Sequence, residues 1–119
     1  MYFFDTYAII EMLQGNPNYR KYLNETINTS AFNAVELLYY MLKYHESAKV
    51  EEKYAELNLN IVEIEKNELF EAAKLRHAHK KKALSYSDCV GYTLAEKRGM
   101  KFLTGDNDFR GMGNTEFVK

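Results

Sequence analysis

Five short apolar runs alternate with segments of helical spacing, and this alternation constrains the fold more than any other feature of the sequence. The intervening segments carry apolar residues every three or four positions, as helices with one buried face do. Strands that alternate with helices form parallel sheets covered on both faces. The sequence therefore predicts an α/β fold: a three-layer α/β/α sandwich with a mostly parallel sheet of about five strands. The runs are MYFFD (1–5), TINTSAF (26–32), LNIVEI (59–64), MKFLT (100–104) and EFV (116–118).

The helical segments carry recognisable start and stop residues. Pro17 suits the first turn of a short helix because its missing N–H would have no partner there. Gly15 and Gly99 are placed to end the helices that precede them. Gly91 and Ala95 share one helix face, which would let that helix pack closely on the sheet. The predicted helices are 6–15, 16–25, 33–46, 48–58, 66–84 and 85–99.

Length and cysteine content bound the setting of the protein. A chain of 119 residues can bury one core and is too short for two ordinary domains, so a single domain over 1–119 is expected. The lone Cys89 cannot form an internal disulfide, which favours a reducing, cytoplasmic compartment. No apolar run approaches the roughly 20 residues that cross a bilayer, and the first residues lack the pattern of a signal peptide. We expect no membrane association.

Charge is divided unevenly along the chain, although the net charge is only −1. Residues 1–73 contain 6 Lys/Arg and 12 Asp/Glu, whereas residues 74–119 contain 10 and 5. A basic run lies in the second part and includes Arg76, Lys80, Lys81 and Lys82. These cations could contact nucleic-acid phosphates, or they could be the solvated end of a helix, where cations also favour the dipole.

Four acidic residues fall where predicted strands lead into helices: Asp5, Glu36, Asp88 and Asp106. Each has a local explanation. Asp5 can cap the first helix, and the pairs Asn33/Glu36 and Ser85/Asp88 have capping-box spacing. Asp106 and Asp108 can form an Asx-type turn beside Gly105 and Asn107.

The same acids can also be considered together. In an open parallel sheet, ligands bind at the carboxyl ends of the strands, so all four would converge on one edge. Close carboxylates cannot all stay ionised without a cation. Because the available ligands are hard oxygens, with no thiolate or imidazole, the pattern favours Mg²⁺ or Mn²⁺. Chemistry on phosphate follows from that choice of ion.

At this point the sequence resembles a PIN-domain ribonuclease, and most closely the small VapC-type toxins of prokaryotic toxin-antitoxin pairs. Asp5 and Thr6 match the family's opening Asp-Thr/Ser, and Glu36 in NAVELL matches the Glu after the second strand. Asp88 matches the acid that opens the helix before the fourth strand. Thr104 and Asp106 match a Thr-x-Asp pattern, and Asp108 with Phe109 matches the ending Asp-x-Asp-Phe.

The resemblance implies an activity and a set of residue functions. Asp5, Glu36, Asp88 and Asp106 would be catalytic and would hold one or two Mg²⁺ or Mn²⁺ ions, with Asp108 as a fifth ligand. Thr6 and Thr104 would orient the carboxylates or metal-bound water. The substrate would be single-stranded RNA, cut to 5′-phosphate and 3′-hydroxyl ends. A homodimer and an antitoxin protein would be the partners.

Other interpretations remain open from the sequence. The protein could be a PIN-fold module that binds protein or RNA with little or no catalysis. Tyr39, Tyr40 and Tyr44 could stack bases or form a protein interface, but core packing is the default for such aromatic residues. His77 and His79 do not share a helix face and are assigned no function. A haloacid-type phosphatase is disfavoured because FDTYA lacks the second Asp, and no G-x-G-x-x-G turn supports dinucleotide binding.

Overall fold

The protein folds around one five-stranded sheet, which the computed structural model describes over residues 1–119. All four strand pairs are parallel, and the strand order is β3-β2-β1-β4-β5. The predicted sandwich is therefore confirmed, with strands shorter than the apolar runs. Ile64 lies beyond the third strand and packs against the core instead. The strands are β1 (Tyr2–Phe4), β2 (Asn28–Thr29), β3 (Asn60–Ile61), β4 (Lys101–Thr104) and β5 (Thr115–Phe117).

Five α-helices and two short 3-10 helices connect the strands. The helix predicted over 66–84 ends early. The backbone leaves helical conformation at His79, and the Lys82 N–H donates to the His79 carbonyl. No helix is both long enough and apolar enough to span a membrane. The α-helices are α1 (Thr6–Leu13), α2 (Ala31–Leu42), α3 (Ser47–Leu57), α4 (Lys66–Ala78) and α5 (Tyr86–Lys97); the 3-10 helices are Pro17–Tyr22 and Asn107–Phe109.

Side chains of the central strands alternate between two apolar cores, one on each face of the sheet. Phe3 and Phe102 are register partners and pack towards α4 and α5. Phe4 and Leu103 are the next pair and pack towards α1, α2 and α3. Both faces are covered because the helices that connect parallel strands pack on them. This arrangement leaves the ends of the strands as the accessible part of the sheet.

The helix starts confirm most of the predicted caps and correct one of them. Asp5 caps α1, and Ser85 and Asp88 form a capping box at α5. The predicted pair of Asn33 and Glu36 is wrong, because α2 begins two residues before Asn33 and Ser30 is its cap. The Ser30 hydroxyl accepts the Asn33 N–H, so Glu36 lies in the second turn and its carboxylate is free for other contacts.

The close approach of α5 to the sheet is also confirmed. A Cβ atom at Gly91 would lie only 2.7 Å from the Phe3 ring and 3.1 Å from the Phe102 ring. Glycine therefore lets the helix backbone approach the two central strands. Asp88 lies one turn earlier on α5, so this packing holds its carboxylate close to the edge of the sheet.

Replacement of Gly105 by alanine is expected to destabilise the fold by about 3 kcal/mol, since overpacking of a filled site commonly costs this much. A Cβ atom there would collide with the Val118 carbonyl oxygen and the Tyr7 ring. Urea unfolding of Gly105→Ala measures the loss. Gly113→Ala is the matched control, because a Cβ at Gly113 meets no atom within 4 Å. Equal stability of the two variants would contradict the steric explanation.

Candidate active site

Four acidic side chains meet at the carboxyl edge of the sheet. Asp5 and Asp106 follow the neighbouring strands β1 and β4, whereas Glu36 and Asp88 lie near the N-termini of α2 and α5. Helices that run back along a parallel sheet begin at this edge, which brings their first turns beside the strand ends. All four acids, together with Thr6 and Ser85, line one cavity of about 360 Å³. The convergence predicted from the sequence is therefore observed.

Asp5 is the buried centre of this group, with 2% of its surface exposed. Its carboxylate accepts the Thr6 N–H at 2.9 Å and the Thr104 hydroxyl at 2.7 Å. Burial raises the pKa of Asp5 to about 8, and the negative charges of Asp88 and Glu36 add to that rise against the two hydrogen bonds. Burial and the neighbouring charges therefore favour the protonated form of Asp5 over the ionised form.

Asp88 is buried beside it and is held by the start of α5. Its Oδ2 accepts the Ser85 N–H at 2.8 Å, which leaves Oδ1 free of this cap. Burial raises the pKa of Asp88 to about 6, an effect opposed by the Ser85 hydrogen bonds and increased by the charges of Asp106 and Glu36. These mutual effects indicate that the carboxylates lie close enough to repel one another.

Glu36 is held by a residue that sequence analysis did not identify. Its Oε2 accepts the Ser87 hydroxyl at 2.9 Å, and Ser87 lies 2.9 Å from the Ser85 hydroxyl. This chain of hydroxyl groups connects Glu36 on α2 with the Asp88 cap on α5. Only the nearness of Ser87 to Asp88 in the sequence could have indicated it. Asn33 was predicted only as a cap, and its contact with Thr6 was likewise missed; its amide donates to the Thr6 hydroxyl at 3.0 Å.

Asp106 forms the predicted Asx-type turn. Its Oδ1 accepts the Asp108 N–H at 3.0 Å, and its own N–H donates to the Thr104 hydroxyl at 3.1 Å. Thr104 therefore contacts both Asp5 and Asp106. Asp108 is not among the residues that line the cavity, so its assignment as a fifth ligand stays a prediction. Gly105 serves close packing beside Tyr7, since it has no positive φ that a turn would require.

Replacement of Thr104 by valine is expected to lower the free energy of unfolding by about 1–3 kcal/mol, because valine leaves a buried carboxyl and a part-buried N–H without their hydrogen-bond partner. The hydroxyl donates to Asp5 and accepts from the Asp106 backbone. Urea unfolding measures the change. Thr104→Ser retains the hydroxyl and should keep most of the stability. A serine variant as unstable as the valine variant would show that the methyl group, not the hydrogen bonds, matters.

No salt bridge joins the four acids to a cation of the protein. The two salt bridges pair Lys74 with Glu71 and Arg98 with Glu68, away from the cavity. No three acidic, histidine or cysteine side chains are already close enough to form a ready-made metal cluster. Mg²⁺ usually keeps several waters and binds through one or two carboxylates, and a water needs about 30 Å³ of space. The cavity therefore fits a divalent ion with part of its water shell.

The basic run has a mixed placement. The Lys82 ammonium donates to the Asp108 carbonyl at 2.9 Å, which ties this lysine to the turn after β4. The Arg76 guanidinium lies 5.3 Å from the centre of the Tyr86 ring. Lys80 and Lys81 are exposed. Contact of these four cations with RNA stays a prediction.

Core packing, the default for Tyr39, Tyr40 and Tyr44, is wrong for two of the three. Tyr39 and Tyr44 are 65% and 66% exposed, whereas Tyr40 is half-buried. The sequence does not distinguish these cases because all three rings carry the same apolar surface. Position on the helix relative to α1 and α3 decides which ring is covered.

Comparison with known proteins agrees with this arrangement of the sheet. A family model for the PIN domain matches residues 2–114. The chain belongs to the PIN domain family. This assignment agrees with the resemblance seen in the sequence. No curated protein matches the sequence of this PIN domain.

Two solved structures share the fold over nearly the whole chain. One is a toxin-antitoxin complex from Klebsiella pneumoniae, with 20% identity, a TM-score of 0.73, and coverage of 100% of this PIN domain and 97% of that chain. The other is the Mycobacterium tuberculosis toxin VapC20, named as cleaving the sarcin-ricin loop. It has 15% identity, a TM-score of 0.77, and coverage of 99% of this PIN domain and 97% of that chain. At such identities the likeness establishes the fold.

Proposed function

We propose that this PIN domain is an endoribonuclease that depends on Mg²⁺ or Mn²⁺ and cleaves single-stranded RNA. The observation that carries the proposal is the convergence of four carboxylates on one cavity without any salt bridge to a cation. A structural group of acids would gain from a lysine or arginine partner. A group that binds a divalent ion needs none, because the ion supplies the positive charge.

The residues that would hold the metal are Asp5, Glu36, Asp88 and Asp106, with Asp108 as a further candidate. A bound divalent ion lowers the pKa of water and stabilises the charge that develops on phosphate. The protein orients its ligands beforehand: Thr104 and the Thr6 N–H hold Asp5, and Ser87 holds Glu36. Such outer contacts fix ligand direction and tune affinity for the ion. The Thr6 hydroxyl is itself held by the Asn33 amide.

The toxin of a toxin-antitoxin pair is the biological role that we propose for this activity. The two solved structures described above come from toxin systems, and one is named as a toxin that cleaves the sarcin-ricin loop. The proposal includes an antitoxin partner, a homodimer, a cytoplasmic location and one PIN domain over residues 1–119. Single-stranded RNA as substrate is supported by a cavity that opens at the edge of the sheet, where an unpaired strand can reach the acids.

A second candidate is a PIN-fold module that binds a protein and cleaves little or nothing. Two observations favour it. The acids do not form a ready-made metal cluster. Large apolar side chains are also exposed away from the cavity, including Val35 at 67% and Phe70 at 66%, as in protein-binding surfaces. The two candidates differ in whether the purified protein cleaves RNA.

Incubation of the purified protein with labelled single-stranded RNA should give Mn²⁺-dependent cleavage that EDTA stops. Asp88→Asn removes one charge at a metal ligand and should reduce the rate by at least about 100-fold. Glu96→Gln is the matched control, since Glu96 is an exposed acid on the same helix and lies outside the cavity. It should cleave at the rate of the unchanged protein. Circular dichroism verifies that both variants fold.

Three outcomes decide between the candidates. Cleavage that persists in Asp88→Asn or in EDTA would overturn the metal-dependent mechanism. Intact RNA under all conditions, together with stable binding to a partner protein, would favour the binding module. Loss of cleavage in Asp88→Asn, with Glu96→Gln as active as the unchanged protein, would support the nuclease.

A further inference from the structure

The cavity that contains the acids has a second, chemically different wall. Residues of α1 and α2 form it, and most of them are aromatic or aliphatic. Tyr39 is the most accessible of its aromatic and aliphatic residues, with 65% of its surface exposed. A phosphodiester that reaches the acids would have this wall beside it. The residues are Tyr7, Ile10, Tyr39, Tyr40 and Lys43.

Tyr39 and Lys43 form a pair on the outer surface of α2. They are four residues apart, so they share one helix face, and the Lys43 ammonium lies 4.9 Å from the centre of the Tyr39 ring. Neither of the protein's salt bridges involves Lys43, which is exposed. One side of the cavity thus offers the Tyr39 ring with the Lys43 ammonium over one of its faces and with no carboxylate paired to that ammonium.

The two tyrosines that follow Tyr39, one on α2 and one in the turn after it, are not equivalent to it. Tyr40 packs against Tyr44 with ring centres 5.2 Å apart, and its hydroxyl accepts a hydrogen bond from Gln14 at 2.6 Å. Tyr44 is as exposed as Tyr39, but it lines a separate cavity with Leu13 and does not reach the acids. Tyr39 is therefore the exposed ring of α2 that adjoins the four carboxylates.

We propose that Tyr39 stacks on an unpaired base of the RNA beside the scissile phosphate, and that Lys43 contacts the backbone phosphate next to that base. This inference rests on the proposed ribonuclease function and names how its substrate is held. Every base presents a π-face, so such stacking tolerates different sequences. It requires an unpaired base, since bases within a duplex are already stacked. The pair therefore selects single strands over duplexes at this site.

The test measures RNA binding without cleavage. The full chain carries Asp88→Asn throughout, and fluorescence anisotropy follows a fluorescein-labelled single-stranded RNA in EDTA. Addition of Tyr39→Ala should weaken binding by about 5- to 100-fold, the usual loss for one stacked base. Tyr39→Phe retains the ring and should bind like the parent. Tyr44→Ala is the matched control and should also bind like the parent, since its ring is equally exposed but lies away from the acids.

The phosphate contact of Lys43 is tested by the salt dependence of RNA binding. Lys43→Ala should weaken binding and reduce the slope of affinity against salt concentration by about 0.7, the value for one phosphate contact on a single strand. Tyr39→Ala should leave that slope nearly unchanged, because stacking releases no counterion. An unchanged slope in Lys43→Ala would overturn the phosphate contact. Thermal unfolding verifies that each variant is folded.

The outcomes separate this inference from the proposed function. Unchanged affinity in Tyr39→Ala, or an equal loss in Tyr44→Ala, would overturn the stacking assignment. Unchanged RNA affinity with a loss of self-association in sedimentation would also overturn it and would make Tyr39 a protein contact. If the unchanged protein fails to cleave RNA but binding still depends on Tyr39, the nuclease proposal fails and the stacking assignment stands. If the unchanged protein cleaves RNA but binding does not depend on Tyr39, the nuclease proposal stands and the stacking assignment fails.

Discussion

Replacement of Asp5 by asparagine is expected to remove RNA cleavage and, at pH 8 without divalent ions, to make the folded protein more stable. Both effects come from the Asp5 carboxylate, which would bind the metal when it is ionised and is costly to bury as a charge when no metal is bound. Its pKa is raised from 3.8 to about 8, so ionising it in the fold costs free energy. Asparagine keeps the carbonyl that accepts the Thr6 N–H and removes the charge.

The expected magnitudes are large. Loss of a central metal ligand should reduce cleavage by at least about 1000-fold, which corresponds to about 4 kcal/mol of barrier. The gain in unfolding free energy at pH 8 should be of order 2–4 kcal/mol. It should shrink at pH 5.5, where the Asp5 carboxyl of the folded protein is largely protonated. Urea unfolding in EDTA at the two pH values measures it.

The control for this variant is Glu96→Gln, which removes an exposed acid from outside the cavity. It should change stability by no more than a few tenths of a kcal/mol. An Asp5→Asn protein that is less stable than its parent at pH 8 would show that Asp5 has a structural function. In that case its loss of activity would not identify a metal ligand.

The second large effect is that the stability of the fold should depend on pH in opposite directions with and without Mn²⁺. The pKa values of Asp5 and Asp88 rise from 3.8 to about 8 and about 6 in the fold. Between pH 4 and 8 the folded protein therefore holds protons that the unfolded chain has released. Stability without metal must fall as pH rises through this window, because an acid with a raised pKa favours folding only while it is protonated.

Mn²⁺ should reverse this trend because it binds the ionised carboxylates. At a concentration about 100 times its dissociation constant, a ligand stabilises by about 2.7 kcal/mol, or roughly 10 °C in Tm for a domain of this size. We expect a Tm rise of that size at pH 8 and a much smaller one at pH 5.5, where Mn²⁺ competes with protons. Scanning fluorimetry in EDTA and in Mn²⁺ measures both. Equal shifts at the two pH values would argue against these carboxylates as the ligands.

The Mn²⁺ response also separates two ways in which the nuclease proposal could fail. Asp5→Asn and Asp88→Asn should each lose most of the shift, whereas Glu96→Gln should keep it. A normal rise in Tm with Mn²⁺, without RNA cleavage, would support the metal site and overturn the proposed ribonuclease activity. No shift in the unchanged protein would favour the binding module.

The sequence by itself determined the type and order of the elements and the placement of the acids. Alternation of apolar runs and helical spacing is local information, and it was sufficient to predict a parallel sheet with Asp5 and Asp106 at strand ends. The caps at Asp5 and Ser85 were predicted for the same reason, because a cap involves only neighbouring residues. Element boundaries were less well predicted, as the early start of α2 and the early end of α4 show.

Only the tertiary structure decided which side chains meet. The Thr104 contact with Asp5 spans 99 residues, and the Ser87 contact with Glu36 spans 51. No local pattern encodes such pairs, because they depend on how α2 and α5 dock on the sheet. The same docking places Tyr39 at the acids and Tyr44 at a different cavity, although the two residues are almost equally exposed. Side-chain chemistry was readable from the sequence, whereas the partner of each side chain was set by packing across the whole fold.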